Sequence, residues 1–218
     1  IRSLLFPLHI TSFCICDALE EKNYYGAEQI LIVSASSKTA IGLAQGLEEA
    51  TSSPTIIGLT SQKNLDFVKS LGCYDEIITY DEISSVNFQN KSVIVDMAGS
   101  REILGTLHNS LKGNMLKCLT VGMTHWDNKV TAEDALGQAM LRERTEFFFA
   151  PAHIQKRVKD WGHDGYNQKT NEFMKTRSLQ SSHWMKIREV NGIEDFISIY
   201  DQFVKGNINP NEGIIVVI

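Results

Sequence analysis

The stretch that decides the fold runs from residue 30 to residue 47 and reads ILIVSASSKTAIGLAQGL. It begins with Ile30–Val33, an apolar and mostly β-branched run that is typical of a buried strand. A polar loop follows at 34–39, and small and apolar residues then recur at helical spacing from Ala40 to Leu47. A strand, a turn and a helix in this order favour a phosphate site, because the turn presents backbone N–H groups and the helix dipole attracts the anion.

Short apolar strands and amphipathic helices alternate on both sides of this stretch. The predicted strands are Ile30–Val33, Thr55–Leu59, Glu76–Tyr80, Ser92–Met97 and Met115–Val121. The predicted helices are 8–22, Ala40–Leu47, Leu65–Leu71 and Arg101–Leu111. This alternation predicts an α/β fold in which a doubly wound, Rossmann-like parallel sheet carries helices on both faces. Ligands of such folds bind at the carboxyl ends of the strands.

The pattern changes after residue 134. A helix is predicted at Ala135–Arg144, and a strand with three consecutive phenylalanines at Glu146–Ala150. A final helix at Ile193–Lys205 and a final strand at Gly213–Ile218 close the chain. We therefore expect a nucleotide-binding domain at 1–150, a helical or irregular excursion at 151–192, and a terminal helix and strand at 193–218 that return to the same domain.

Composition excludes several classes of protein. The chain has 218 residues, of which 43% are hydrophobic and 22% are charged, and its net charge is −5. A negative net charge gives no reason to expect a nucleic-acid partner, and no apolar run approaches the ~20 residues that span a bilayer. Neither the histidines nor the cysteines have metal-ligand spacing, so no metal site is predicted. The cysteines Cys14, Cys16, Cys73 and Cys118 are expected to be reduced core residues of a cytoplasmic protein.

The loop after the second strand bears on the choice of cofactor. An NAD-binding domain places an acid there for the ribose 2′-hydroxyl, but this chain has none before Asp66. Hydroxyl groups and an ammonium group, such as those of Ser61 and Lys63, would instead receive a 2′-phosphate. NADP (NADPH) is therefore favoured over NAD, although an ordinary solvated Lys63 explains the same residues.

The first loop would hold the pyrophosphate of that cofactor. The residues expected to do so are Ser36, Ser37, Lys38 and Thr39. Two alternatives remain open for this loop. A degenerate P-loop also places Lys and Thr before a helix, but both of its glycines are absent. The serine and threonine side chains could also do no more than cap the helix.

The exit of the fifth strand lies where a nicotinamide ring would be. Gly122 permits the close approach of a flat ring, and Thr124 or His125 could donate a hydrogen bond to a carboxamide or to a substrate carbonyl. These two residues are the candidate catalytic side chains. In the alternative interpretation, His125 and Trp126 only pack beneath the loop.

Residues 4–126 resemble the cofactor domain of medium-chain dehydrogenases/reductases, in particular the quinone-oxidoreductase and enoyl-reductase branch. The stretches that carry the resemblance are ILIVSASSKTAIGLA, IIGLTSQKNLDFVKSLGCYDEIITYDE, VIVDMAGS and the strand ending TVGM. The ending EDFISIYDQFVKGNINPNEGIIVVI is similar to the terminal helix and strand of that family. Within the superfamily, the combination of SASSKTAIG, DMAGS and VGMTHW is most similar to a group of uncharacterised dehydrogenase-like proteins.

The resemblance implies roles for individual residues. The segment from Ser36 to Thr39 would hold the pyrophosphate, and Lys63 with Tyr80 would flank the 2′-phosphate and the adenosine. Gly99 would lie beside the adenosine half. Val121 and Gly122 would lie beside the nicotinamide.

The resemblance also implies that an N-terminal barrel-like catalytic domain is missing from this chain. The expected function is the nucleotide-binding portion of an NADP(H)-dependent oxidoreductase whose small-molecule substrate carries a carbonyl or an activated C=C bond. A homodimer is expected, with Glu146–Ala150 pairing across it. Because serine, lysine and threonine replace the family's glycine loop, two alternatives stay open: a non-catalytic binding or scaffold domain, and a site for another phosphorylated ligand.

Overall fold

The computed structural model describes residues 1–97, 100–122, 142–204 and 206–217. Its core is a six-stranded sheet in which every neighbouring pair is parallel. The strands are β1 Gln29–Val33, β2 Thr55–Thr60, β3 Glu76–Thr79, β4 Ser92–Asp96, β5 Met115–Thr120 and β6 Thr145–Phe147. Their spatial order is β3-β2-β1-β4-β5-β6. The predicted doubly wound α/β fold is confirmed.

Helices cover both faces of this sheet. They are α1 Arg2–Glu21, α2 Lys38–Glu48, α3 Leu65–Leu71, α4 Arg101–Leu111, α5 Ala150–Trp184 and α6 Gly192–Val204. A hydrophobic core lies on each face of the sheet. Alternate residues of β1 pack into one core or the other, since side chains alternate across a strand. Ile30 and Ile32 pack with α1 and α2, whereas Leu31 and Val33 pack on the face that α4 covers. Burial on both faces explains why β1 is continuously apolar.

Glycines let α1 and α2 approach closely, and this contact fixes where α2 begins. A Cβ atom on Gly42 would lie 2.7 Å from the Ser12 Oγ, and one on Gly46 would lie 2.6 Å from the Cys16 Sγ. Ser12 also donates a hydrogen bond of 2.8 Å from its hydroxyl to the backbone carbonyl of Thr39, in the first turn of α2. Packing against α1 therefore holds the N-terminal end of α2 at the edge of the sheet.

By length and composition alone, α1 would be able to cross a bilayer, which the sequence had not led us to expect. In the structure it packs against α2 and α5 and buries Leu5, Ile15 and Leu19 completely. Near its end, Asp17 forms an ion pair with Arg157 of α5 and a hydrogen bond with His153 of the same helix. Burial of one side and ion pairing on the other are the properties of a core helix in a globular domain.

The strand predicted at Glu146–Ala150 is wrong in its extent. Strand β6 covers Thr145–Phe147, pairs in parallel with β5, and forms one edge of the sheet. Phe148 is buried, whereas Phe147 and Phe149 are 53% and 58% exposed. The chain then turns into α5 at Ala150, so the three phenylalanines do not belong to one strand. Most of the helix predicted at Ala135–Arg144 lies outside the described residues, and Arg142–Arg144 form a short 3₁₀ helix.

The segment 151–192, for which a helical or irregular excursion is predicted, is mainly one long helix. Helix α5 changes direction at Gly162, whose φ of +72° and ψ of 168° are available essentially to glycine alone. Strands β7 (Lys186–Asn191) and β8 (Glu212–Val217) then flank α6 and pair in parallel with each other. The last strand therefore joins a separate two-stranded sheet and not the central one. The division of the chain into domains stays a prediction.

All four cysteines lie buried as free thiols, in agreement with the sequence-based expectation. Burial raises the pKa of the Cys14, Cys73 and Cys118 thiols to about 12. Burial likewise raises the pKa of Cys16 far above its ordinary range. These side chains are therefore neutral core residues that lack the thiolate needed for nucleophilic chemistry.

Candidate functional site

The carboxyl ends of the four central strands meet at one edge of the sheet. The N–H group of Ala35 donates to the carbonyl of Leu59 at the end of β2 over 2.9 Å. On the other side of β1, Met97 donates to Val33 over 3.4 Å. Strand order reverses between β1 and β4, and doubly wound folds bind ligands in the crevice at such a point. The candidate site is this crevice.

The β1–α2 loop, residues 34–37, makes a tight turn without glycine. Ser34 adopts a left-handed conformation with a φ of +64°, which few side chains other than glycine favour. Its carbonyl accepts a 2.9 Å hydrogen bond from the Ser37 N–H group. The Ser37 hydroxyl caps α2 by accepting a 3.2 Å hydrogen bond from the N–H of Ala40. Ser37 therefore caps the helix, and whether this loop does more than cap it stays a prediction.

Three backbone N–H groups at the start of α2 stay free of protein acceptors. They belong to Ser36, Lys38 and Thr39, and none has a hydrogen-bond partner among the described residues. The first N–H groups of a helix have no acceptor within the helix, and together with its dipole they form an anion-binding position. These are three of the four residues that the sequence assigned to a pyrophosphate.

Three polar side chains from neighbouring elements fix the shape of the β1–α2 loop. The Tyr80 hydroxyl accepts a 3.2 Å hydrogen bond from the Ser34 N–H group, and the Tyr74 hydroxyl donates to the Ala35 carbonyl over 2.8 Å. Asn64 donates from its side-chain amide to the Ser36 hydroxyl over 3.0 Å. Rigid support of this kind replaces the glycines of a conventional phosphate loop.

Sequence reasoning missed Tyr74 and Asn64 as supporting residues. Asn64 ends the polar run that follows β2, so its position near a phosphate loop could have been inferred. The sequence around Tyr74 contains no comparable indication, because the Tyr74 ring can lie against β2 only where Gly58 has no side chain. A Cβ atom on Gly58 would lie 2.8 Å from the Tyr74 ring, so only glycine lets the ring lie against β2.

The two lysines assigned to phosphate groups both contact one loop near the end of the chain. Lys38 donates from its ammonium group to the carbonyl of Pro210 over 2.9 Å. Lys63 donates to the carbonyl of Gly206 over 3.5 Å. Burial lowers the pKa of Lys38, and the charge of Glu212 opposes that change. The structure thus brings both lysines to the same side of the crevice.

Of the other residues that the sequence assigned to the site, Ser61, Val121 and Gly122 lie in the described part of the chain. The Ser61 carbonyl accepts a 2.9 Å hydrogen bond from the Asn64 N–H, and Val121 donates to Asp96 over 2.8 Å. A Cβ atom on Gly122 would lie 2.3 Å from the Met97 carbonyl oxygen, so the fold itself requires a glycine there. Gly99, Thr124 and His125 lie outside the described residues, and their predicted roles stay predictions.

Metal-ligating residues do not assemble in the part of the chain that the structure describes. Within it, no group of three or more His, Cys, Asp or Glu side chains could hold a metal ion. The candidate site therefore rests on backbone N–H groups, hydroxyl groups and two ammonium groups. Such a site suits a phosphate-bearing organic ligand.

A parallel sheet of order 3-2-1-4-5-6, with a helix beginning at the end of its central strand, defines a Rossmann-like α/β protein. The family model for a "Protein of unknown function (DUF2855)" matches residues 1–209, and the chain belongs to that family. No curated protein sequence matches the chain.

Solved structures with this fold include several oxidoreductases at low sequence identity. A putative NADPH:quinone reductase from Mesorhizobium loti is 13% identical with a TM-score of 0.62, and the match covers 97% of this chain and 58% of that one. The yhdH oxidoreductase from Salmonella enterica in complex with NADP is 15% identical with a TM-score of 0.58, over 97% and 61%. CurA from Vibrio vulnificus in complex with NADPH is 14% identical with a TM-score of 0.57, over 87% and 56%. The chain thus spans less than two thirds of the length of each of these proteins.

Proposed function

We propose that this chain is the nucleotide-binding portion of an NADP(H)-dependent oxidoreductase that reduces a carbonyl or an activated C=C bond. The observation that supports the proposal best is the set of three free N–H groups on Ser36, Lys38 and Thr39. They lie at the switch point of a Rossmann-like sheet, where dinucleotides bind in this fold. Solved proteins of the same fold carry NADPH or NADP in their crystals.

The residues present fit such a cofactor. The pyrophosphate would take the three free N–H groups and the ammonium group of Lys38. The 2′-phosphate would take Lys63 and the Ser61 hydroxyl, at the end of a strand that no acid follows before Asp66. A carboxylate at that position would repel a phosphate, so NADP fits better than NAD.

When it is bound, NADPH supplies a hydride, and the chain supplies position and polarity. Its own residues hold the phosphates with charge-assisted hydrogen bonds and fix the dinucleotide along the carboxyl ends of the strands. We propose Val121 and Gly122 beside the nicotinamide, Gly99 beside the adenosine half, and Thr124 or His125 as the hydrogen-bond donor to the substrate. We further propose that the small-molecule site needs a second domain, since the solved relatives are longer than this chain.

Two further proposals concern the state of the protein. We propose a homodimer that forms through the outer edge of β6. Among the described residues no further strand pairs with that edge, and an unpaired strand edge pairs readily with another strand. Phe147 and Phe149 beside that edge are exposed in the single chain. The second proposal is a cytoplasmic location, which rests on the reduced, buried cysteines.

Cofactor titrations of Lys63 variants test the 2′-phosphate assignment. A charge-assisted hydrogen bond contributes ~1.5–3 kcal/mol, so Lys63→Ala is expected to weaken NADPH binding about 10–100-fold. NADH binding should stay nearly unchanged. Lys69→Ala, which removes an exposed lysine from α3, is the matched control. Equal losses for the two cofactors would exclude the assignment.

The second candidate is a non-catalytic binding or scaffold domain. One observation favours it: carbonyl groups of the loop that precedes β8 already accept hydrogen bonds from both lysines that the phosphates of the cofactor would need. Thermal unfolding with NADPH, with NADH and without ligand separates the two functions. Stabilisation by NADPH at millimolar concentration supports the oxidoreductase, whereas no shift with either cofactor supports the scaffold.

A further inference from the structure

Residues between α6 and β8 contact both lysines of the candidate phosphate site. We define residues 206–211 as the strap. Its Pro210 carbonyl accepts a hydrogen bond from Lys38 over 2.9 Å, and its Gly206 carbonyl lies 3.5 Å from the ammonium nitrogen of Lys63. The two lysines come from different elements, one from the start of α2 and the other from the segment between β2 and α3. Both direct their ammonium groups at the same short piece of backbone.

We propose that the strap competes with the phosphate groups of the cofactor for Lys38 and Lys63, so that tight binding requires the strap to move away. The proposal rests on the proposed function and adds a form of regulation to the same site. A carbonyl oxygen of the strap and a phosphate oxygen of the ligand would accept hydrogen bonds from the same ammonium groups, so only one of them can do so at a time.

The chemistry of the two acceptors sets the direction of the exchange. A backbone carbonyl is a neutral dipole, whereas a phosphate carries full negative charge and forms the stronger bond with an ammonium group. Lys38 is half-buried, so the loss of water around it makes an acceptor necessary. The strap supplies that acceptor when phosphate is absent, and phosphate replaces it when bound.

The strap is attached to the protein in a way that permits movement. Gly206 and Asn209 are exposed, and Gly206 takes a left-handed φ of +66° with open space where a Cβ atom would lie. Hydrogen bonds between Asn209 and Glu212 stabilise the strap from within. On the β8 side, the Asn211 carbonyl accepts from Lys186 over 2.8 Å. On the α6 side, the N–H groups of Gly206 and Asn207 donate to the carbonyls of Phe203 and Gln202. A short, partly exposed segment between two anchored ends belongs to the low-stability part of a structure.

The consequence for binding follows from the population of the open state. The apparent dissociation constant equals the intrinsic constant divided by the fraction of molecules in which the strap is open. A variant that favours the open state and keeps both lysines must therefore bind the cofactor more tightly, even though it adds no contact to the ligand. A strap that merely organised the lysines would produce the opposite change.

Hydrogen exchange tests the contact without any ligand. Lys38→Met and Lys63→Met each remove one ammonium group, and both should accelerate amide exchange in residues 206–212. Lys69→Met provides the matched control and should leave these amides unchanged. Unchanged exchange in both strap-side variants would contradict the contact itself, whatever the function of the site.

Binding of NADPH and of inorganic pyrophosphate tests the competition. Pro210→Gly frees the backbone of the strap while keeping both lysines, and we expect about 2–5-fold tighter binding of both ligands, because the added chain entropy favours the open state. An insertion of Gly-Ser-Gly after Asn207 should act in the same direction and serves if Pro210→Gly does not fold. Exchange in 206–212 should also accelerate when NADPH binds the unaltered chain.

The outcomes separate this proposal from the proposed function. Tighter binding by the loosened variants, including binding that only they display, supports the strap. Equal or weaker binding by loosened variants whose strap exchanges faster overturns it. Absence of binding to NADPH and pyrophosphate in every form overturns the proposed function and the competition together, while the exchange experiment still decides whether the contact exists.

Discussion

The Tyr80 hydroxyl accepts a hydrogen bond of 3.2 Å from the backbone N–H group of Ser34. Ser34 is the residue at which the chain leaves β1 in a left-handed conformation, a position where many phosphate loops have glycine. Burial raises the pKa of Tyr80, although the hydrogen bond from Ser34 opposes that change, so the side chain remains a neutral phenol. The phenol provides a fixed acceptor for the first turn of the loop.

Tyr80→Phe is expected to destabilise the fold and loosen the β1–α2 loop. The change keeps the ring but leaves the part-buried Ser34 N–H group without its acceptor, at a cost of about 1–3 kcal/mol. Urea unfolding measures the loss, and Tyr200→Phe on the exposed side of α6 is the control. Identical free energies of unfolding for Tyr80→Phe and the unaltered chain would contradict this role.

Local sequence was sufficient to predict the first five strands of the central sheet. The predicted strands Thr55–Leu59 and Ser92–Met97 differ from β2 and β4 by one residue each, because strands buried on both faces must be continuously apolar. The predicted helix Ala40–Leu47 begins two residues after the observed start of α2 at Lys38, although Ser37 is a common N-cap residue followed by apolar residues at helical spacing.

Contacts between distant segments could not be predicted from the same sequence. Lys38 and Pro210 are 172 residues apart, and nothing in either local sequence indicates that they meet. The pairing of β8 with β7 could not be predicted either, because a strand's pairing partner depends on tertiary packing and not on its own pattern. The extent of β6 could not be predicted from the phenylalanine run for a related reason. Phe148 is buried, but its burial does not make it part of the strand.

A glycine on β2 is expected to be required for the support of the β1–α2 loop. In Gly58→Ala the new Cβ atom would meet the Tyr74 ring at 2.8 Å and the Ala35 Cβ at 3.0 Å. Overpacking of this kind costs typically about 1–3 kcal/mol, and it displaces the hydroxyl that holds the Ala35 carbonyl. Thermal or urea unfolding measures the loss.

Gly105→Ala is the matched control for that substitution. Gly105 lies within α4, and a Cβ atom there meets nothing within 4 Å. The same change of side chain should therefore stabilise the chain by up to about 1 kcal/mol, the difference in helix propensity. The two glycines should move stability in opposite directions, and a shared sign would contradict the packing argument at Gly58.

The outer edge of β6 is expected to join two copies of the chain. Light scattering at micromolar concentration should give twice the mass of one chain. Phe147→Glu places a charge beside the edge and should give a monomer that remains folded by circular dichroism. Phe203→Glu is the control, because Phe203 lies on α6 and is 62% exposed. A monomeric mass for the unaltered chain would contradict the dimer, and dissociation by Phe203→Glu alone would place the interface on α6.

His9 gives the fold a defined dependence on pH. Its side chain on α1 is only 1% exposed, and its Nε2 lies 3.4 Å from the Ser181 hydroxyl on α5. Burial, followed by the charge of Arg177, lowers the pKa of His9 from 6.5 to about 4. The unfolded chain therefore takes up a proton on this residue at a higher pH than the folded chain does.

The sign of the effect follows from that difference in proton uptake. The contribution of a neutral buried His9 is complete above pH 6.5 and is lost as the pH falls from 6.5 to about 4, by about 3 kcal/mol in total. His9→Gln should remove this part of the slope when the free energy of unfolding is measured by urea at several pH values in that range. His163→Gln, at an exposed position of α5, should keep it. If His9→Gln has the same slope as the unaltered chain, the neutral buried imidazole is not what makes the fold sensitive to acid.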